Sequence, residues 1–267
     1  MARTLKEDWF NNLLADFGHL VSGHSSFHKY LGIEEECFCT LRFLHKDKTL
    51  LFFLVLEIEN VSTFSYRPSE IENVNNIYNV FGTALHILAF DPNEQFLLYD
   101  KNTKGWYRHD SVSLSSFFEG IDDTLTKNRG TYKEINKTTN DGFQIWTRKF
   151  LTRNCVVNDI DALYINGQLK ILYELKRVVS VLKDWRPYLD DYSNYNSFIC
   201  IGKDFKLNKR LVAYNESNEK EVALHFNLSL APDKSYIGGS FFLMSPKDAI
   251  KPYVGENYKS THVRQRY

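Results

Sequence analysis

The chain has 267 residues, enough for one large domain or two small ones with a sizeable core. Hydrophobic residues make up 43% and charged residues 25%, an ordinary balance for a folded domain. Lys+Arg and Asp+Glu stand at 33 each, which excludes a globally basic field as a signal for nucleic acid.

The N-terminal stretch Met1–Asp8 is charged and holds no apolar signal core. Leu5, Trp9, Leu13, Leu14 and Phe17 fall near one helical face, so a helix is expected over 5–17 with Gly18 as its stop. His19, His24 and His28 follow in a Gly/Ser-rich loop and are expected at the surface. Cys37 and Cys39 would share a face of a strand. With Cys155 and Cys200 they lack zinc-type spacing and read as free thiols of a reducing, cytoplasmic compartment. Strands are expected at 37–45 and 49–59. The apolar run Leu50–Leu56 is far too short to span a bilayer and reads as a buried strand. Ser69-Glu70-Ile71-Glu72 fits a capping box ahead of a helix that runs to Gly82. Strands at 84–90 and 95–99 and a helix at 113–124 complete a first half.

The second half opens on a polar stretch at 125–142, and 122–142 is the expected linker between residues 1–124 and 125–267. Beyond it, strands are expected at 143–153, 160–165 and 169–176, a helix at 185–195, and strands at 197–202, 209–215, 221–228 and 236–244. Residues 126–154 concentrate charge: Lys127, Arg129, Lys133, Lys137, Arg148, Lys149 and Arg153 stand against Glu134 and Asp141 alone. Such a strip suits phosphate contacts as well as a solvated face. Trp185, Arg186, Tyr188, Asp190, Asp191, Tyr192 and Tyr195 crowd one segment, where Arg186 and the tyrosines could meet phosphate or bases, or pack a helix on a sheet. The two halves echo each other. Glu57-Ile58-Glu59, Arg67-Pro68 and an Asn-rich helix in the first match Glu174-Leu175-Lys176, Arg186-Pro187 and Asn194-Tyr195-Asn196 in the second, a pattern that a degenerate internal duplication would give and that any hairpin followed by a helix also gives.

The densest chemical signal is Asp159-Ile160-Asp161, an apolar run, Asn166-Gly167, a second apolar run, and Glu174-Leu175-Lys176. Asn-Gly between apolar runs signals a β-hairpin. Residues two apart share a strand face, so Glu174 and Lys176 project together, as do Asp159 and Asp161. Two carboxylates beside a lysine can hold a hard divalent cation and a water. The second strand is nearly continuously apolar from Leu169 to Tyr173, as in a strand covered on both faces, and charges at its end are costly unless paired or bound.

This arrangement, over about residues 143–202, resembles the PD-(D/E)XK nuclease superfamily of restriction endonucleases and Holliday-junction resolvases. The resemblance implies an α/β (α+β mixed) fold: a restriction-endonuclease-like mixed sheet flanked by helices in 125–267, preceded by an α+β half used for recognition or dimerisation. It implies Asp161 and Glu174 as ligands of Mg²⁺, or of Mn²⁺ in its place, with the carbonyl of Leu175 as a further ligand. Lys176 would orient or help deprotonate the attacking water. Asp159 would bind a second metal or steer solvent. A glutamate from the helix before the core, Glu134 or its rival Glu119, would join them. Arg148, Lys149, Arg153, Arg177 and Arg186 are the expected nucleic-acid contacts. The expected function is a Mg²⁺-dependent endonuclease on DNA, of the restriction, repair or resolvase type, acting as a homodimer. RNA as substrate, or a non-catalytic binding or assembly protein on the same fold, are the alternatives.

Overall fold

A computed structural model of the chain describes residues 6–33, 37–127, 141–234 and 237–252. It is a mixed α/β protein with two six-stranded sheets among the described residues. These residues divide into two units, one of 22–159 and one of 6–21 with 160–252. The boundary expected at 124/125 therefore falls after Asp159. The segment 6–21, with helix α1 (Trp9–Asp16) and the short strand β1 (Leu20–Val21), belongs to the second unit. The polar stretch does not separate the units because Leu125 before it and Phe143, Trp146 and Leu151 after it enter one core.

The first unit runs α2 (Ser26–Tyr30), β2 (Phe38–Lys46), β3 (Thr49–Glu57), α3 (Glu72–Phe81), β4 (Leu85–Phe90), β5 (Phe96–Asp100), β6 (Gly105–His109), α4 (Ser111–Ile121), α5 (Gly142–Phe150) and β7 (Val156–Ile160). Its sheet order is β6-β5-β4-β3-β2-β7. Strands β2 and β3 form a hairpin, β4 returns parallel to β3, and β5 and β6 add antiparallel. The strand expected at 143–153 is the helix α5. Asp141 accepts the Gln144 N–H as its cap, and Phe143, Trp146 and Phe150 stack along one side at ring separations of 5.9 and 5.6 Å. That period overrides the β-propensity of the same aromatics. The expected capping box at Ser69 does not form. Pro68–Glu70 makes a separate 3-10 turn, and α3 starts at Glu72 without a side-chain cap.

The second unit adds β8 (Ala162–Asn166), β9 (Leu169–Arg177), α6 (Tyr192–Asp204), β10 (Asn208–Asn215), β11 (Asn218–Leu230), β12 (Ile237–Met244) and α7 (Pro246–Ile250). The sheet order is β1-β8-β9-β10-β11-β12, antiparallel throughout except that β10 lies parallel to β9. The β8–β9 turn centres on Gly167-Gln168, one residue later than expected. Gly167 takes φ +57, the left-handed region that a side chain resists. Helix α6 replaces both the helix expected at 185–195 and the strand expected at 197–202. Pro187 and two 3-10 turns delay its start, and Tyr195, Phe198 and Ile201 then recur at helical spacing against the sheet. One face of the sheet packs Phe10, Leu14, Tyr173, Val212 and Ile250, and the other packs Val178, Trp185, Tyr195, Leu211 and Phe241.

The two sheets follow one path. Each runs hairpin, helical crossover to a parallel strand, and two antiparallel additions. Counted from their two-residue turns, Leu41, Leu54 and Leu56 stand where Asp161, Glu174 and Lys176 stand in the second unit. The match expected between Glu57 and Glu174 is thus three residues out of register. His19, His24 and His28, expected at the surface, are all buried. His19 bridges the Leu14 carbonyl and the Tyr173 hydroxyl at 3.1 Å each, and burial lowers its pKa to about 4.

Candidate functional site

The site lies in the second unit, where the β8–β9 hairpin opens. Ala162 pairs with Tyr173, so Asp161 stands across from Glu174. The Leu175 N–H donates to Asp161 Oδ2 at 2.8 Å, which fixes that carboxylate beside the second strand. Glu174 and Lys176 share the face of β9 that looks toward α6. Glu174 Oε1 lies 3.0 Å from Lys176 Nζ. Lys176 Nζ also donates to Asp191 Oδ2 at 2.9 Å and sits 5.3 Å from the centre of the buried Tyr195 ring. Lys6, ahead of α1, places its Nζ 3.1 Å from Asp161 Oδ1.

Burial governs the electrostatics. Glu174 is 6% exposed, and that burial, reinforced by the Asp161 charge, raises its carboxyl to about 7 against the pull of Lys176. Burial works against the charge on Lys176 as well, but Glu174, Tyr195 and Asp191 outweigh it and hold the ammonium above its ordinary value. In this arrangement Lys176 is held as an ammonium by its acidic and aromatic neighbours.

The donor set suits a hard divalent cation. Two carboxylates face each other across one hairpin, and the carbonyl of Leu175 lies in the same short stretch. The raised carboxyl of Glu174 reflects its burial first and the neighbouring Asp161 charge second. Asp161, Glu174 and Leu175 are the residues that would hold the ion. Among the described residues, no group of three or more His, Cys, Asp or Glu is arranged to hold a metal, so backbone oxygen or solvent has to complete the shell.

Other expected site residues lie elsewhere. Asp159 belongs to the first unit, where Oδ1 accepts from Arg42 Nε at 2.8 Å. The guanidinium of Arg42 also forks onto Asp141, so Asp159 takes part in a buried ion pair of that unit. The strand break between Ile160 and Ala162 separates it from Asp161. Glu119 lies on α4 of the first unit, and Glu134 lies outside the described residues, as do Arg129, Lys133 and Lys137. Arg148, Lys149 and Arg153 belong to the first unit, with Lys149 3.5 Å from Glu94. Arg177 is exposed and pairs with Glu216 at 2.7 Å. Arg186 donates to the Lys183 and Trp185 carbonyls and covers the Phe241 ring, a packing role.

Three residues extend the expected set. Asp191 and Tyr195 were visible in sequence only as part of a crowded acidic and aromatic segment. They are four apart at the start of α6, which turns both toward Lys176. Lys6 carried no local signal, because 155 positions separate it from Asp161. No helix among the described residues is long and apolar enough to cross a membrane. No protein-family model, no curated protein and no solved structure matches the chain.

Proposed function

We propose that the second unit is a metal-dependent nuclease of PD-(D/E)XK type that hydrolyses phosphodiester bonds, with DNA as its first expected substrate. The observation that carries this reading is the opposition of Asp161 and Glu174 across the hairpin, with Lys176 on the Glu174 face. The unit's order α1, β1, β8, β9, α6, β10, with β10 parallel to β9, also supports the reading, its first helix and strand coming from residues 6–21 and not from the expected strand at 143–153.

A bound Mg²⁺ would supply Lewis acidity and a water acidic enough to attack at neutral pH. The chain's own residues do the rest. Asp161 is held by the Leu175 amide, so its free lone pairs keep a set direction. Glu174 must shed its proton to serve as a ligand, which its carboxyl near 7 permits at neutral pH. Lys176 stays charged and donates to a phosphate oxygen, offsetting charge that builds there as the bond breaks. Asp191 and Tyr195 limit where that ammonium can go.

The test is incubation of the purified chain with supercoiled plasmid, single-stranded DNA and RNA, each with Mg²⁺ or EDTA, beside Lys176→Ala and Asp161→Asn. Cleavage of one substrate that needs Mg²⁺, Lys176 and Asp161 supports the reading and identifies the nucleic acid. Equal cleavage by the variants, or cleavage in EDTA, refutes it. Binding without cleavage under any condition points to the non-catalytic alternative.

A further inference from the structure

Lys6 belongs to no helix or strand, yet its position is set. Two residues later Asp8 caps α1 by accepting the Phe10 and Asn11 N–H groups, and its other oxygen accepts the Tyr214 hydroxyl from β10 at 2.6 Å. The backbone that carries Lys6 is thereby tied to the sheet that carries Asp161. The two oxygens of Asp161 meet unlike partners. Oδ2 takes the Leu175 amide, whose place the β8–β9 pairing fixes. Oδ1 takes the Lys6 ammonium, which rides on a flexible stem and is 35% exposed. The second contact can break without disturbing the strand.

We propose that Lys6 is a phosphate-binding residue of this site, paired with Asp161 and released to the substrate when a divalent cation binds there. The inference rests on the nuclease reading above. A lysine ammonium and a divalent cation repel if they share one carboxylate oxygen, so Lys6 yields Oδ1. It then lies beside a carboxylate whose charge is already satisfied. A substrate phosphate is then an anion to which Lys6 can donate from the α1 side, as Lys176 can from the α6 side. The site therefore carries two ammonium groups, each paired with a carboxylate that would bind the ion or stands beside one. In the metal-free state Lys6 lowers affinity for the ion by competing for Asp161.

Mn²⁺ binding, followed by the electron paramagnetic resonance of the free ion, reads this without turnover. Lys6→Met should bind Mn²⁺ about two- to fivefold tighter than wild type, the range of a partly exposed ion pair. Lys6→Arg, which keeps the charge, should stay within about twofold. With Ca²⁺ in place of Mn²⁺, Lys6→Met should hold a short oligonucleotide about fivefold more weakly. Thermal unfolding and circular dichroism check the fold, and Lys6→Gln replaces Lys6→Met if the latter does not fold. Unchanged or weaker Mn²⁺ binding by Lys6→Met, or unchanged oligonucleotide affinity, overturns the proposal and leaves the nuclease reading intact. Failure of the wild type to bind Mn²⁺, or equal binding by Asp161→Asn, overturns both.

Discussion

Replacing Glu174 by Gln isolates the cost of keeping a carboxylate inside the second unit. Its carboxyl moves from an ordinary 4.5 to about 7, chiefly through burial. A carboxyl raised in this way binds its proton more tightly folded than unfolded. Between about 4.5 and about 7 the folded chain carries the extra proton, so stability falls as pH rises through that window and levels off above it. From pH 5 to pH 8 the wild type should lose about 2–3 kcal/mol that Glu174→Gln does not lose, on the order of 5–10 °C in the midpoint for a chain of this length. Lys176 keeps Asp191 as a partner in the variant, so the ammonium is not stranded. The assay is urea unfolding of both proteins in EDTA at half-unit pH steps. Titrations elsewhere in the chain cancel in the difference between them. A difference that is flat with pH, or that favours the wild type at pH 8 over pH 5, would show that the carboxylate is not strained and would refute the electrostatic account of the site.

Two further substitutions separate holding from building. Asp191→Asn removes one anchor of a part-exposed lysine. It should cost under about 1 kcal/mol of stability and leave Mn²⁺ affinity within about twofold, while slowing cleavage at saturating substrate at least several-fold. A shift in metal affinity instead would make Asp191 a ligand and not a support for Lys176. In the first unit, Arg42→Met removes the buried guanidinium that Asp141 and Asp159 share and should cost about 3–5 kcal/mol by urea unfolding. Asp141→Asn in the same chain should recover part of that loss. A cost under about 1 kcal/mol would mean that the triad is dispensable.

Legibility in the sequence followed the reach of each signal. The hairpin at 160–177 was readable because alternation, a Gly that accepts positive φ, and an apolar second strand all act within a few residues. The buried run Leu50–Leu56 was readable as a strand for the same reason. Segments 143–153 and 197–202 were not. Short runs rich in Phe, Trp, Ile and Thr fit a strand or a buried helix equally, and only their packing decides. Asp159 and Asp161 share a strand-like spacing, but a break after Ile160 sends them to different units, and nothing local marks that break. The unit boundary and Lys6 were invisible because both depend on residues 6–21 joining a sheet formed after residue 160.

The repeated sheet path supplies a control for the site. Strand β3 follows the same hairpin, crossover and parallel pairing as β9, and it meets those demands with Leu54 opposite Leu41 and with Leu56 two residues on, all shielded from solvent. The topology therefore has no structural need for charge at these positions. In β9 the same places hold Glu174 and Lys176, and the opposing place holds Asp161. Burying those groups works against stability, as the raised carboxyl of Glu174 records. An apolar solution to the same path exists within this chain, and this supports the proposal that the charged positions form a site. The local chemistry that two facing carboxylates and a fixed ammonium can perform is the binding of a hard cation and a phosphate.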